Sequence, residues 1–289
     1  MSLKSSLKFI TEHPLNQHQK LKAILRFISW QVYARIFNPA YYHQFTPRVK
    51  IIVKKGMTGA SGNLYCGLHE FSDMGFLLHF LRSEDTFMDV GANVGSFTLL
   101  ASGHVGTRSH TFEPVPRTFE NLKANIALNQ LFSKVSVYNC AIGAEAGQLK
   151  FTNDQDTMNH IAISSDENVF EVEVKSIDEV LSNETTPTLI KIDVEGFETE
   201  VIKGAIKTLA KKELKAIIIE LNGSGERYGY DESLIQQTLN ENGFRAYSYE
   251  PLQRLLVPSN VDGSGNTIFI RDVEFVLNRL QSADDISLH

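Results

Sequence analysis

Apolar positions along the chain follow two periods. Short, nearly continuous apolar runs such as Thr86–Val90 and Ala216–Leu221 are typical of strands buried on both faces. Between these runs, apolar residues recur every three or four positions, which predicts helices with one face on a core. This alternation predicts an α/β fold, in which a doubly wound, mostly parallel sheet is covered by helices on both faces.

The predicted strands of the sheet are Thr86–Val90, Ser109–Phe112, Val135–Cys140, Leu189–Asp193, Ala216–Leu221, Phe244–Tyr249 and Thr267–Ile270. The predicted helices around it are Glu70–Leu81, Ser96–Ser102, Pro116–Asn129, Gly196–Lys211, Asp231–Asn242 and Val273–Leu280. Ahead of the sheet, two short strands are predicted at Val49–Lys54 and Asn63–Gly67. Residues 153–166 are polar, and their number favours a loop over a site.

The first part of the chain differs from the rest in charge. Residues 1–48 carry seven Lys and Arg against one acid, Glu12, whereas the whole chain has a net charge of −6. We therefore divide the chain into a basic helical extension, residues 1–48, and an acidic α/β domain, residues 49–289. An acidic body argues against nucleic acid as its main partner, because phosphate binding requires a basic face.

A helix is predicted over Leu21–Ile36, and Asn38-Pro39 would end it. Its apolar residues at helical spacing are Leu21, Ile24, Leu25, Ile28, Val32 and Ile36. We expect this stripe to pack on the body of the protein. Two alternatives stay open: residues 20–37 could lie on an anionic membrane surface, where Phe27, Trp30 and Tyr33 would suit the interface, or they could mediate self-association.

The lengths of the apolar runs and the surroundings of the cysteines indicate the cellular location of the protein. No stretch reaches the roughly 18 apolar residues that a membrane-spanning helix needs, and no signal peptide is recognisable. The two cysteines, Cys66 and Cys140, are not at metal-ligand spacing and lie in apolar, strand-like segments. We expect a cytoplasmic protein with reduced thiols and no zinc site, and a peripheral position at the membrane stays open as an alternative.

The stretch "FMDVGANVGSFTLL" predicts a strand, a glycine turn and the start of a helix. In such a turn, Gly91 and Gly95 let backbone N–H groups approach a ligand closely. A dinucleotide fingerprint needs a central glycine, and Asn93 occupies that position. Asp89, before the first glycine, would repel a phosphate and favours a cation or an amine.

Two later strand ends fit the remainder of a nucleoside. Glu113 ends the second strand, where a carboxylate can hold a ribose diol, although it could instead flank the following helix. Ala141 and Gly143 follow the third strand and leave room for an adenine ring. A cofactor with a ribose, an adenine, no phosphate and a cationic amino-acid tail is S-adenosylmethionine.

Five stretches also resemble one family, the FkbM-type methyltransferases: "DVGANVGSFTLLAS", "FEPVPRTFENLKANIALN", "CAIGAEAG", "IKIDVEGFETEVIKGA" and "IIIEL". The resemblance covers roughly Phe87–Leu221, and "KIDVEG" is its most specific element. It implies a class I methyltransferase (Rossmann-like) fold and O-methylation of a sugar, glycan or secondary metabolite. It also implies cofactor contacts at Asp89, Gly91, Asn93, Gly95, Glu113 and Ala141.

The fourth strand ends in the acidic sequence "DVEGFETE". In a doubly wound sheet this strand lies beside the first, so we expect Asp193 to face the glycine turn. Glu198 and Glu200 are interpreted as first-turn acids that favour the helix dipole. A structural cap explains only one of Asp193 and Glu195, so we predict that one of them orients the acceptor hydroxyl or takes its proton. The alternative for the pair is a cap and a salt bridge.

Other residues are candidates of second rank. Glu220, at the end of the fifth strand, and Tyr228, in the loop that follows, could contact the acceptor, and each also has a structural interpretation. His160 could serve as a base from the loop, and Glu70 could reach the amino-acid end of the cofactor. A divalent metal on the strand-end acids is possible, although their spacing does not require one.

Two other functional classes compete with a methyltransferase that acts on a small molecule or glycan. A nicotinamide dehydrogenase is disfavoured by Asn93 and Asp89 in the glycine turn. A non-catalytic nucleotide-binding scaffold, recruited to a membrane or partner through the N-terminal helix, is disfavoured by the strand-end acids. The sequence does not identify the acceptor or the oligomeric state.

Overall fold

The computed structural model describes residues 3–37, 40–152, 169–261, 263 and 265–286. The strands are β1 (Tyr41–Thr46), β2 (Val49–Val53), β3 (Thr86–Val90), β4 (Arg108–Phe112), β5 (Val135–Tyr138), β6 (Ala141–Ile142), β7 (Gly147–Thr152), β8 (Val169–Lys175), β9 (Leu189–Ile192), β10 (Ala216–Leu221), β11 (Arg245–Glu250), β12 (Leu255–Pro258) and β13 (Gly265–Ile270). The helices are α1 (Leu3–Glu12), α2 (Lys20–Phe37), α3 (Thr58–Cys66), α4 (Phe71–Phe80), α5 (Ser96–Thr98, continued by a π-helix at Leu99–Val105), α6 (Pro116–Leu128), α7 (Ile177–Val180), α8 (Glu198–Lys203), α9 (Ile206–Ala210), α10 (Ser233–Glu241) and α11 (Val273–Ser282).

The central sheet has eight strands in the order β12-β11-β13-β10-β9-β3-β4-β5. Strands β10, β9, β3, β4 and β5 pair in parallel, and β13 is antiparallel to both β10 and β11. The order along the chain reverses between β3 and β9, which makes this pair the topological switch point where ligands bind in such folds. The predicted doubly wound, mostly parallel sheet is confirmed.

Successive strand residues point to opposite faces of the sheet, and each face has its own core. Phe87 and Leu189 belong to one cluster, whereas Met88 and Ile190 belong to the other. Because both faces of the sheet are covered, the central strands consist of nearly continuous apolar residues, and this pattern allowed them to be predicted from the sequence.

The N-terminal extension packs into the first of these cores. Buried residues of the extension share a cluster with Phe87 and Leu189 of the sheet; they are Ile10, Ala23, Phe27, Trp30, Ala34 and Phe45. The predicted division at residue 48 falls in the turn of the antiparallel β1–β2 hairpin. That division stays a prediction.

The predicted inner face of α2 is wrong. The buried residues of α2 are Ala23, Phe27, Trp30 and Ala34. The stripe expected to pack inward is instead largely exposed, at Leu21, Leu25, Ile28, Val32 and Ile36. Since this helix is apolar on both sides, periodicity alone does not identify the side that meets the core.

The predicted strand at Asn63–Gly67 is also wrong, because these residues end α3. Gly62 lies so close to His69 that a Cβ there would be 2.2 Å from the His69 ring. The buried side chain of Asn63 accepts from the His69 amide at 2.8 Å and donates to Ser96 Oγ at 3.0 Å. These tertiary contacts of small and polar residues outweigh the local apolar alternation.

Further differences are smaller. The helix expected over Gly196–Lys211 is divided into α8 and α9, where Gly204 packs against the carbonyl of Gly143. A three-stranded sheet, β6-β8-β7, was not expected. Residues 153–166, predicted to form a loop, lie outside the described residues. Among the helices that the structure describes, none combines the length and the apolar character that a membrane span requires.

Asn125 joins the N-terminal hairpin to the glycine turn. Its buried side chain accepts from the Ile52 amide and donates to the Val94 carbonyl, both at 2.8 Å. We expect Asn125→Ala to lower the free energy of unfolding by about 2 kcal/mol or more, because two buried backbone groups lose their partner. Urea unfolding would measure the change. Arg117→Ala, which changes an exposed side chain on the same helix, is the control and should cost about 0.5 kcal/mol or less; equal costs for the two variants would contradict the assignment.

Candidate active site

A cavity of about 670 Å³ lies at the carboxyl ends of the central parallel strands. It is bounded by the turn after β3, by the segments after β4, β5 and β9, and by the end of β10. Helices α1, α2 and α3 close its other side. The cavity therefore joins the switch point of the sheet to the N-terminal extension.

The glycine turn meets the end of β9 at close range. Gly91 has a φ of +81°, and a Cβ there would lie 1.8 Å from the carbonyl oxygen of Asp193. Asn93 has a φ of +51°, a left-handed conformation that Asn tolerates better than most residues. At Gly95, a Cβ would lie 2.5 Å from Leu122. The structure thus brings together the glycine turn and Asp193, as the strand order requires.

Asp89 is buried at the floor of the cavity. Its Oδ2 accepts from the Thr98 amide at 3.1 Å and from the Thr98 hydroxyl at 2.6 Å. Its Oδ1 is also buried and has no hydrogen-bond partner within the described part of the chain. Burial raises the pKa of Asp89, although nearby Lys191 opposes that shift. This oxygen therefore remains available to a donor from a ligand.

Glu113 is positioned by backbone groups. Its carboxylate accepts from the amides of Asn93 and Val115, each at 2.9 Å. Burial raises its pKa to about 7. Each oxygen keeps a second lone pair for a ligand hydroxyl. Ala141, in β6, is a small buried residue that lines the same cavity.

Lys191 was missed by the sequence analysis. It lies opposite Asp89 in the β3–β9 register, and its ammonium is 2.7 Å from Asp193 Oδ2. Burial alone would lower the pKa of Lys191, but the carboxylates of Asp193, Glu70 and Asp89 outweigh it and raise the pKa above its usual range. A lysine inside a strand that is otherwise apolar on both faces was the available signal.

Three carboxylates meet where the ends of β9 and β10 border the cavity. Asp193, Glu195 and Glu220 each place one oxygen within 4.8 Å of the others, and all three side chains are half-buried. Burial and the charge of Asp193 raise the pKa of Glu195 to about 7 and that of Glu220 to about 8. Groups this close can share a proton near neutral pH.

Glu198 lies in the first turn of a helix, and its carboxylate also accepts hydrogen bonds from the preceding turn. It begins α8 as expected, but its side chain is buried and Oε1 accepts from the amides of Val194 at 3.0 Å and Gly196 at 3.3 Å. These bonds hold the turn that carries Glu195, whose φ is +55°. Glu200 instead pairs with Lys203 at 2.7 Å.

The structure places Glu70, Tyr228 and His160 differently with respect to the cavity. Glu70 lines the cavity, and its Oε2 is buried without a hydrogen-bond partner among the residues described. Tyr228 packs against Phe197 at a ring distance of 6.0 Å, and it is Phe197 that lines the cavity. His160 lies outside the described residues.

Residues 89–246 match the model of the methyltransferase FkbM domain, which is more than half of the 289-residue chain. The chain belongs to the FkbM methyltransferase family. The match begins at the buried Asp89 and ends within β11, so it includes every carboxylate that lines the cavity except Glu70. It leaves out the extension and α3.

Two curated relatives are similar to parts of this chain. The 31-O-demethyl-FK506 methyltransferase FkbM of Streptomyces tacrolimicus is 40% identical over 85 residues, which are 28% of this chain and 32% of the relative. The hexuronic acid methyltransferase AglP of Haloferax volcanii is 27% identical over 167 residues, 57% of this chain and 65% of the relative. The matches thus span between a third and two thirds of these relatives.

Among solved structures, precorrin-6Y C5,15-methyltransferase from Geobacter metallireducens has a TM-score of 0.42 and 12% identity, with 70% of this chain and 88% of that chain covered. The assignment of the fold rests on the strand order and on the FkbM match.

The raised pKa of Glu220 has a consequence for stability. Because its pKa is raised from 4.5 to about 8, the folded protein holds this proton more tightly than the unfolded chain. The protonated Glu220 therefore makes its full contribution to the free energy of unfolding below pH 4.5, and this contribution is lost as the pH rises through about 8. The Glu220→Gln side chain cannot ionise. We therefore expect the Tm of this variant to be higher than that of the wild type by about 2 °C or more at about pH 9, which corresponds to ~1 kcal/mol. At about pH 6 the difference in Tm should be smaller.

Scanning calorimetry of the ligand-free protein at both pH values would measure this difference. Glu226→Gln removes an exposed carboxylate and should leave the Tm unchanged at each pH. A Tm difference between Glu220→Gln and wild type that does not depend on pH would contradict the assignment.

Proposed function

We propose that the protein transfers a methyl group from S-adenosylmethionine to a hydroxyl of a sugar, glycan or secondary metabolite. The observation that carries the proposal is the excess of carboxylates around one buried lysine. The carboxylates that line the cavity are Glu70, Asp89, Glu113, Asp193, Glu195 and Glu220. Burying this much negative charge is costly unless a cation joins it, and the proposed cofactor has an ammonium and a sulfonium.

The residues at the switch point fit that cofactor. Asp89 Oδ1 and Glu70 Oε2, both buried and without a partner among the described residues, can accept from an ammonium. Glu113 keeps lone pairs for the ribose diol, and the turn at Gly91 permits close approach of the backbone. Ala141 leaves space for the adenine. A pyrophosphate would meet the carboxylates unfavourably, which argues against a nicotinamide cofactor.

The other side of the cavity suits a ring-bearing acceptor. Phe27, Trp30 and Phe151 give it an aromatic wall, and Gln31 and Arg35 add polar groups. Such a combination of apolar faces and a few polar groups is typical of small-molecule sites. The names of the two relatives support a hydroxyl-bearing acceptor, since one refers to a 31-O-demethyl compound and the other to a hexuronic acid.

The acids at the end of β9 and β10 would act on the acceptor. When bound, the cofactor supplies a methyl group on a positively charged sulfur. Stabilising that charge in the ground state would not accelerate transfer, so the acids contribute more by holding and deprotonating the hydroxyl. Asp193, fixed by Lys191 at 2.7 Å, orients the hydroxyl in line with the methyl group. Burial raises the pKa of Glu195 to about 7 and that of Glu220 to about 8, so near neutral pH the pair would hold one proton, and the member that remains ionised would take the proton of the acceptor hydroxyl.

Calorimetric titration with S-adenosylhomocysteine tests the cofactor. We expect the wild type to bind it and not to bind NAD. Asp89→Asn should weaken binding by roughly 10- to 100-fold, because a hydrogen bond between charged groups is lost. Glu226→Gln, away from the cavity, should bind like the wild type. Binding of neither ligand by the wild type would favour the scaffold alternative.

Replacement of Asp193 separates catalysis from cofactor binding. We expect Asp193→Asn to lower methyl transfer by roughly 10²-fold or more while affinity for S-adenosylhomocysteine changes little. Transfer of radiolabelled methyl groups to a panel of uronic-acid and neutral oligosaccharides would measure the rate. Asp231→Asn, on an exposed loop, is the control. Full turnover in Asp193→Asn would remove Asp193 from the mechanism.

A further inference from the structure

Helix α2 has two apolar faces, and only one of them packs against the protein. Ala23, Phe27, Trp30 and Ala34 form the buried inner face. The outer face consists of Leu21, Leu25, Ile28, Val32 and Ile36, which are between 49% and 70% exposed. The spacing of four, three, four and four residues places these five side chains on one side of the helix, opposite the inner face.

The exposed apolar surface continues beyond the outer face. Tyr33 and Phe37 lie at the end of α2, and Tyr41 and Tyr42 begin β1; all four are exposed by 41% or more. Clusters of exposed apolar side chains mark interaction surfaces when they form a large patch rimmed by polar residues. Tyr at the border of an apolar surface is characteristic of contact with lipid headgroups.

The charges around the outer face select its partner. By helical spacing, Lys22 and Arg35 flank the apolar stripe on its two sides, and both are exposed. Lys4 and Lys8 of α1 are exposed as well. Glu12 is the one acid of residues 1–48. Two copies of this surface would place basic groups against basic groups, whereas an anionic bilayer complements both the charge and the apolar stripe.

We propose that the outer face of α2 docks the protein on an anionic bilayer surface. The helix lies in the plane of the headgroups, with its apolar stripe at the acyl boundary and its lysines on the anionic lipids. Each basic side chain near such a surface adds to the attraction, and added salt screens it.

Docking has a geometric consequence that rests on the proposed function. Phe27, Trp30 and Ala34, on the inner face of the same helix, line the cavity. A helix with its side chains is about 10 Å across, so the acceptor side of the cavity would lie about one helix diameter from the lipid. An acceptor anchored in or adsorbed on the bilayer would then be within reach.

Flotation with vesicles tests the docking without any need for turnover. The full chain would be mixed with vesicles of phosphatidylcholine alone, or of phosphatidylcholine with phosphatidylglycerol, at low and high salt. We expect binding to the anionic vesicles, weaker at high salt, and little binding to the neutral ones. Leu25→Gln/Val32→Gln should lower the partition coefficient about 10-fold or more, because two apolar contacts with lipid are lost.

A matched control replaces exposed apolar residues elsewhere. Leu234→Gln/Leu252→Gln changes two side chains that are 54% and 71% exposed and should bind like the wild type. Equal binding by wild type and Leu25→Gln/Val32→Gln, or no binding of wild type to anionic vesicles, would overturn the proposal. So would light scattering that shows a wild-type dimer and a monomeric Leu25→Gln/Val32→Gln variant. Failure of S-adenosylhomocysteine binding would refute the proposed function and leave this test intact.

Discussion

The site depends on the buried ammonium of Lys191. A charged group in the interior is tolerated only with partners of opposite sign, and Asp193 at 2.7 Å, Asp89 and Glu70 supply them. The same carboxylates repel one another, and the charge of Lys191 opposes part of that repulsion. Buried oxygens of Asp89 and Glu70 still lack a partner among the described residues. The cavity therefore combines one buried ammonium with more carboxylates than that ammonium can pair.

Strand order explains how these groups meet. The reversal between β3 and β9 makes Asp89 and Lys191 register partners, although they are far apart along the chain. Strand β10 pairs with β9 on the other side, which brings Glu220 to the acids that follow β9. Glu198 then fixes the intervening turn through two backbone amides. Each element by itself carries an ordinary strand-end acid, and only the sheet combines them.

The sequence predicted the sheet well because its strands are buried on both faces and are recognisable as apolar runs without knowledge of their neighbours. The glycine turn, Asp89 and Glu113 could be placed at the cavity for a similar reason, because their positions follow from the local strand-turn-helix pattern, and their contacts with a cofactor stay a prediction. Lys191 could not be given a role, because its meaning depends on partners from other strands. The inner face of α2 was predicted wrongly, because both faces are apolar and the core that selects one is formed by distant residues.

The extension is part of the cavity rather than an appendage. Phe27 and Trp30 belong to the same core as Phe87 and Leu189, so removal of residues 1–48 would expose that core and would also delete the outer face of α2. A truncated protein would thus lose several properties together, and its behaviour with lipid would not identify the surface responsible. Single side chains of the outer face are free of that difficulty, because they are exposed and their replacement leaves the core and the cavity wall in place. Under the proposed docking, α2 would meet the bilayer with its outer face while Phe27, Trp30 and Ala34 of its inner face line the cavity.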